Sequence, residues 1–203
     1  MSSKTRDVNS GDYAVARKNQ KVENKIMDKS SPKIKQENEI ELKEEDSNYP
    51  LSNNLLTSIT TNFGNNTKIV YKKEYRSKIM VKPENLVETA LFLRNNHGFD
   101  HAESASGTDY PSDNEIELNY HLGSYSNTDY YPYIVILSAR VNRDDPKSNS
   151  LINIFPSVEY HERETYEMLG VYFLGHPRNE RFILPEDWAD IPPLRKDFRI
   201  KGR

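Results

Sequence analysis

The residues best placed to do chemistry lie between Val158 and Gly202, in the run V-E-Y-H-E-R-E-T-Y-E-M-L-G-V-Y-F-L-G-H-P-R-N-E-R-F-I-L-P-E-D-W-A-D-I-P-P-L-R-K-D-F-R-I-K-G. His161-Glu162 is half of a metal-hydrolase signature, but Thr165 stands where H-E-x-x-H needs its second histidine. His97, His101, His121 and His176 show no spacing that would gather them on one metal. Glu162, Glu164 and Glu186 could be imagined as a glycosidase acid pair, yet acids borne on a charged helix are ordinarily solvated. The chain has no cysteine, which excludes disulfides and thiolate-held iron–sulfur clusters within it. What remains is a dense set of charges, prolines and aromatics that must find partners, in this chain or in another.

Proline at 156 and glycine at 170 bracket a helix from Pro156 to Leu169, the one suited to a first turn and the other to a C-terminal cap. On it Val158, Thr165 and Leu169 share a face, and Glu162 completes that face. Burying a lone carboxylate costs several kcal/mol, so Glu162 calls for a cation or several hydrogen-bond donors. Arg163 has Glu159 and Glu167 four residues to either side, the spacing of an ion-pair ladder. Two readings stand: solvated helix charges with one satisfied buried pair, or carboxylates (Glu162 and Glu164) that address something beyond the domain.

Phe173 to Pro177 reads as a turn, and Arg178 to Ile191 has neither a helical nor an alternating period. Prolines 177, 185, 192 and 193 favour extended backbone and remove ladder donors. Trp188 is the only tryptophan. An extended, aromatic, Arg-rich strap suits a segment lying across a surface, either its own domain's or a partner's, where Trp and Arg act as anchors.

The elements that must position these residues are legible upstream. Residues 1–50 hold as many acidic as basic side chains and few apolar ones, the composition of a disordered charged arm. Leu51, Leu55, Ile59 and Phe63 fall four apart, predicting a short helix. Lys68 to Val81 favours strand, and Pro83 opens a helix to Asn96 with Gly98 beyond it. Phe99–Tyr110, Glu115–Leu122 and Tyr133–Val141 are strand candidates, and Ile116, Leu118, Tyr120 and Leu122 alternate onto one face. One wet face argues for antiparallel pairing. The fold class is therefore α+β, a small, mainly antiparallel sheet with helices on one face. Three parts are expected: the arm 1–50, an α+β domain 51–170, and a partner-binding C-terminal segment 171–203. A net charge of −3 gives no mandate for nucleic acid, and Asp197 dilutes the basic tail R-K-D-F-R-I-K-G-R. No apolar run approaches the length of a spanning helix, so membrane contact is expected only through partners.

E-R-E-T-Y-E-M-L-G-V-Y-F-L-G-H-P, then E-R-F-I-L-P-E-D-W, then P-P-L-R-K-D-F together resemble the signature of the 30-kDa subunit family of respiratory complex I, the NADH-quinone oxidoreductase. Asp100 to Tyr110, Tyr120 to Leu122 and R-V-N-R-D-D-P resemble its strand region more loosely, so the likeness covers roughly Leu51 to Arg203. Glu180 departs from it, standing where the family usually has a basic residue, and the sequence ends just after Gly202, where many relatives continue.

The resemblance implies a peripheral scaffold subunit on the cytoplasmic, matrix or stromal side of an energy-transducing membrane. It would hold no cofactor, support a 49-kDa-type quinone-cavity subunit, and leave NADH, quinone and iron–sulfur chemistry to partner subunits. The alternative it leaves open is the equivalent subunit of a membrane-bound hydrogenase or of an F(420)- or ferredoxin-linked complex. By motif match, Glu162, Arg163, Glu164, Glu167, Gly170, His176, Pro177, Arg181, Trp188, Pro193, Leu194, Arg195, Lys196 and Asp197 are its interface or architectural residues.

Overall fold

A computed structural model describes residues 49–188 and 192–199, all within one compact unit, Leu42–Arg203. The arm expected over residues 1–50 thus lies almost wholly outside the described residues. Three α-helices are described, α1 (Pro50–Phe63), α2 (Leu86–His97) and α3 (Glu159–Leu169). Five strands form the main sheet: β1 (Thr67–Lys73), β2 (Arg76–Val81), β3 (His101–Tyr110), β4 (Glu115–Gly123) and β5 (Ile134–Asn142), in the order β1-β2-β5-β4-β3. A second, two-stranded sheet pairs β6 (Lys147–Asn149) with β7 (Tyr172–Leu174) in parallel. The α+β class and the mainly antiparallel sheet are as the alternation predicted.

Two local expectations need correction. The run Lys68 to Val81, read as strand, is a hairpin that turns at Glu74-Tyr75, where no Gly, Pro, Asn or Asp marks the reversal in the sequence. Within this mainly antiparallel sheet β2 and β5 run parallel, Ile79 opposite Leu137. Between them the chain crosses by α2 to the far edge and returns through the β3–β4–β5 meander, which makes that pairing possible. Phe173 and Leu174 belong to β7 rather than to a turn, and the reversal comes at Gly175, whose φ of 83° is left-handed.

The helix face of the sheet carries the core. Ile79 and Val81 of β2, Ile116, Leu118, Tyr120 and Leu122 of β4, and Val135, Leu137, Ala139 and Val141 of β5 are all buried. Leu55, Leu56 and Ile59 of α1, Leu86, Ala90 and Leu93 of α2, and Leu169 of α3 close over them. The opposite face keeps its charges paired: Glu117 is nearly fully buried between Lys78 and Arg140. This held carboxylate lies below the usual glutamate range. Burial pushes it up, but the hydrogen bonds and charges of Lys78 and Arg140 outweigh that.

α3 seats on β3 through a glycine. A Cβ at Gly107 would stand 2.3 Å from a methyl of Leu169 and 3.1 Å from the Thr165 methyl. Both side chains are buried, so neither has free space to retreat into. Gly107→Val is expected to lift α3 from the sheet and cost about 1–3 kcal/mol. Chemical denaturation of the full chain measures it, and an unchanged midpoint would refute the seating role.

Candidate functional site

α3 is entered through a turn of 3-10 helix, Pro156–Val158, so the helix predicted from Pro156 keeps its span but not its uniform geometry. It ends on Gly170, left-handed at φ 78°, whose N–H returns to the Tyr166 carbonyl. The inward stripe is as the spacing predicted: Glu162 is buried with Thr165 and Leu169. Its partners are donors rather than a cation. The Tyr120 hydroxyl donates to it at 3.0 Å, the Leu151 N–H at 2.9 Å, and the Ser150 hydroxyl to its other oxygen. Glu162 therefore ties α3 to β4 and to the loop after β6. Burial nevertheless holds its carboxyl above the usual range against those three bonds, and burial beside Glu162 pushes the Tyr120 phenol well up.

The ladder expected about Arg163 does not form. The tertiary structure offers each charge a stronger partner than an exposed neighbour one turn away. Glu159 takes Arg178. Arg163 lies over the Phe182 ring, 4.6 Å from its centroid, and 5.6 Å from that of Tyr160, while its Nε donates to the Glu180 carbonyl at 3.2 Å. Glu180 thus contributes its backbone here and leaves its carboxylate exposed. Glu167 turns to the C-terminal segment and accepts three consecutive backbone N–H groups, Phe182 at 3.0 Å, Ile183 at 2.9 Å and Leu184 at 2.7 Å. Arg181 stands 3.5 Å from the same carboxylate and donates to the Pro185 and Trp188 carbonyls, bracing the short 3-10 turn Glu186–Trp188. Glu164 faces solvent.

His176 is buried with both ring nitrogens engaged. Nε2 lies 3.2 Å from the Glu159 carbonyl, which can only accept, and Nδ1 accepts the Arg178 N–H at 3.0 Å. Pro177 follows on the surface. Asn179, unnoticed in the sequence, exchanges two bonds with the Phe173 backbone at 3.0 and 2.9 Å and so completes the edge of β7.

Beyond the undescribed residues 189–191 the chain returns to the same helix. The Leu194 N–H reaches the Met168 carbonyl at 3.0 Å, and Arg195 Nε reaches the Leu169 carbonyl at 2.8 Å. Pro193 lies half-buried beside Pro192, which crowds Gly170. The Lys196 N–H donates to Asp109 at 2.8 Å, while the Lys196 side chain is exposed. Asp197 pairs with Arg143 at 2.7 Å, and Arg143 also holds Asp109 through Nε at 2.7 Å. Asp109 and Arg143 were not among the sequence candidates. One available signal was that Asp109 falls on the inward row of β3, opposite buried Ile116.

The signature residues are thus brought together, with Glu162, Arg163, Glu167 and His176 buried against the domain while Glu164 and Lys196 face solvent. Large apolar side chains are displayed outward among those exposed charges: Tyr160, Phe182, Ile183, Trp188 and Leu194 are all exposed, with Phe182 against Tyr160 and Trp188 stacked on Phe198 at 6.1 Å. So arranged, the group has the chemistry of an adhesive surface on a rigid base.

Known proteins resemble this chain in sequence and in fold. The family model described as respiratory-chain NADH dehydrogenase, 30 Kd subunit, matches residues 79–203. A subunit of the F(420)H(2) dehydrogenase of Methanosarcina mazei is 37% identical over 123 residues, 61% of this chain and 75% of its own. An NADH-quinone oxidoreductase subunit of a Roseiflexus species is 38% identical over 137 residues, 65% of this chain and 76% of its own. Among solved structures, a chain of the archaeal membrane-bound sulfane sulfur reductase superposes with a TM-score of 0.64 at 22% identity, covering 73% of this chain and 86% of that one. The trypsin-resistant fragment of Nqo5 gives 0.52 at 19% identity, covering 62% and 97%. These last two likenesses are of fold.

The environment of Glu167 carries a pH signature. Burial raises its carboxyl, but the N–H bonds from residues 182–184 and the charge of Arg181 prevail, so it lies below the usual range. Its stabilising contribution is therefore present above the ordinary glutamate value and is lost as pH falls through the lowered folded value. Glu167→Gln should be less stable than the parent at pH 7, by on the order of 3 kcal/mol, and the gap should narrow toward pH 3. Urea titrations at both pH values read it, and a gap of constant size would contradict the assignment.

Proposed function

The chain belongs to the 30-kDa subunit family of respiratory-chain NADH dehydrogenases, and from that membership we propose that it is a non-redox scaffold of the peripheral arm. In this reading it supports a 49-kDa-type quinone-cavity subunit while electron transfer is coupled to ion translocation elsewhere. It carries no catalytic centre, and NADH, quinone and iron–sulfur clusters are handled by partner subunits. The absence of cysteine from the sequence favours that division, since no thiolate is available to ligate a cluster. Among the described residues no helix is long and apolar enough to cross a membrane, which fits attachment through partners. The chain would then sit on the cytoplasmic, matrix or stromal side.

The observation that carries the proposal is the contrast across the C-terminal segment. Glu167, Arg181, Asp109 and Arg143 are used inward, holding the segment to α3 and β3. Phe182, Ile183, Trp188 and Leu194 are held outward, at 42–58% exposure. Ordering so much backbone to display apolar side chains to water has an entropic cost that a partner surface recovers. Trp188 and its neighbours are suited to be the anchors of that contact. The M. mazei relative is a subunit of an F(420)H(2) dehydrogenase, so a second reading keeps the scaffold role and changes the electron donor.

Gentle detergent extraction and pull-down on this chain should recover a quinone-cavity subunit with iron–sulfur partners, and the input module recovered names the donor. Ile183→Asp and Leu194→Asp, both at exposed positions, should reduce that recovery at least tenfold while leaving the circular dichroism of the purified chain unchanged. Full recovery with either variant would overturn the surface assignment. Recovery of the chain alone would overturn the scaffold role.

A further inference from the structure

Between Arg94 and Arg140 the sequence contains no lysine or arginine, but it contains Asp100, Glu103, Asp109, Asp113, Glu115, Glu117 and Asp129. Four of these acids are neutralised from outside the stretch. Arg143 holds Asp109, Arg140 holds Asp113, Glu115 and Glu117, and Lys78 adds to Glu117. Asp100, Glu103 and Asp129 make no ion pair among the described residues. Asp100 and Glu103 flank the start of β3, and Asp129 sits in the 3-10 turn that follows β4.

Two tyrosines stand among these acids, and they are the most exposed large apolar side chains of the described residues, Tyr131 at 67% and Tyr125 at 60%. The His101 ring lies 5.3 Å from that of Tyr125, which lies 6.4 Å from that of Tyr131, so the three rings form a row of edge-to-face contacts. Asp100 accepts the Tyr125 N–H at 2.9 Å. The hydrogen bond from Tyr125 to Glu103, with the charges of Glu103 and Asp100 and the neighbouring Tyr131, holds its phenol above the ordinary value.

The loop does not need these rings for its own structure. The Ser124 hydroxyl donates to the Gly98 carbonyl at 2.7 Å, Asn127 donates to the His97 carbonyl at 3.1 Å, and Asn127 accepts the Asp129 N–H at 3.1 Å. Gly98 is fitted closely, with a Cβ there only 2.8 Å from that of Asn127. Tyr130 and Tyr133 of the same loop are buried in the core. Tyr125 and Tyr131 are displayed instead, on a platform fixed by the end of α2.

We propose that the His101–Tyr125–Tyr131 patch docks an arginine-bearing segment of another protein, its guanidinium lying on a tyrosine face and pairing with Asp100, Glu103 or Asp129. The negative face of a tyrosine ring attracts a cation, and carboxylates that make no ion pair among the described residues supply the complementary charge beside it. Arginine suits the patch better than lysine, because a guanidinium is planar, weakly hydrated and able to stack while it forks to a carboxylate. The inference uses none of the residues of the C-terminal surface, so Leu194→Asp should leave it untouched and the two assignments can fail separately.

The test is a titration of the full-length chain at low salt with the peptide acetyl-Gly-Arg-Gly-Arg-Gly-amide, following the tyrosine ring resonances. Saturable shifts confined to Tyr125 and Tyr131 are expected, weaker with the lysine peptide and absent with the glutamate peptide. Tyr131→Leu should weaken binding about fivefold without changing the circular dichroism. Glu103→Gln should weaken it further and flatten its salt dependence. No response to the arginine peptide, an equal response to the glutamate peptide, or equal affinity in Tyr131→Leu would overturn the proposal. A response to phosphatidylcholine vesicles without one to the peptide would overturn it in favour of a lipid headgroup.

Discussion

The carboxylate of Glu167 is the interaction on which the functional half of this structure depends. Residues 182–184 run past α3 with no strand beside them to receive their N–H groups, and Glu167 receives all three. Three bonds to one ionised group substitute for a missing ladder, and they are stronger than the neutral bonds a strand would have supplied. The segment is thereby ordered without becoming a sheet edge, and its side chains remain available to the exterior.

A second carboxylate on the same helix shows how environment divides the work. Glu162 and Glu167 are both buried, yet burial wins at Glu162 and the hydrogen bonds win at Glu167. Two hydroxyls and a single N–H serve the first, with no ion pair to assist among the described residues. Three N–H groups and Arg181 serve the second. Glu162 fastens α3 to β4 and the loop after β6, and Glu167 fastens the C-terminal segment to α3. Asp109 repeats the scheme at the other end of that segment, taking Arg143 and the Lys196 N–H together. Charges that look, in one dimension, like an interface thus serve first to build a rigid base for an apolar one.

The family resemblance, the class and the main elements were legible in the residues themselves. Periodicity placed α1, α2 and α3, and the alternation of Ile116, Leu118, Tyr120 and Leu122 identified the inner face of β4. The inward position of Glu162 followed from helical spacing alone, and so did its need for a cation or several donors, of which the structure supplies the donors. The hairpin at Glu74-Tyr75 was hidden because the run from Lys68 to Val81 is uniformly strand-like on both sides of the turn. The short strands β6 and β7 were hidden because each exists only through the other.

What the sequence by itself determined is what depends on neighbours along the chain: helical and alternating periods, caps at Pro156 and Gly170, the lack of thiolates, and the motif that marks the family. The tertiary structure alone decided which charge meets which. Arg163 passed over Glu159 and Glu167, each four residues away, for the Phe182 ring and the Glu180 carbonyl. Asp109 found Arg143 across the sheet, and Asp100, Glu103 and Asp129 were left without an ion pair among the described residues. A charge selects its partner by distance and desolvation, and both are properties of the folded neighbourhood rather than of spacing along the chain.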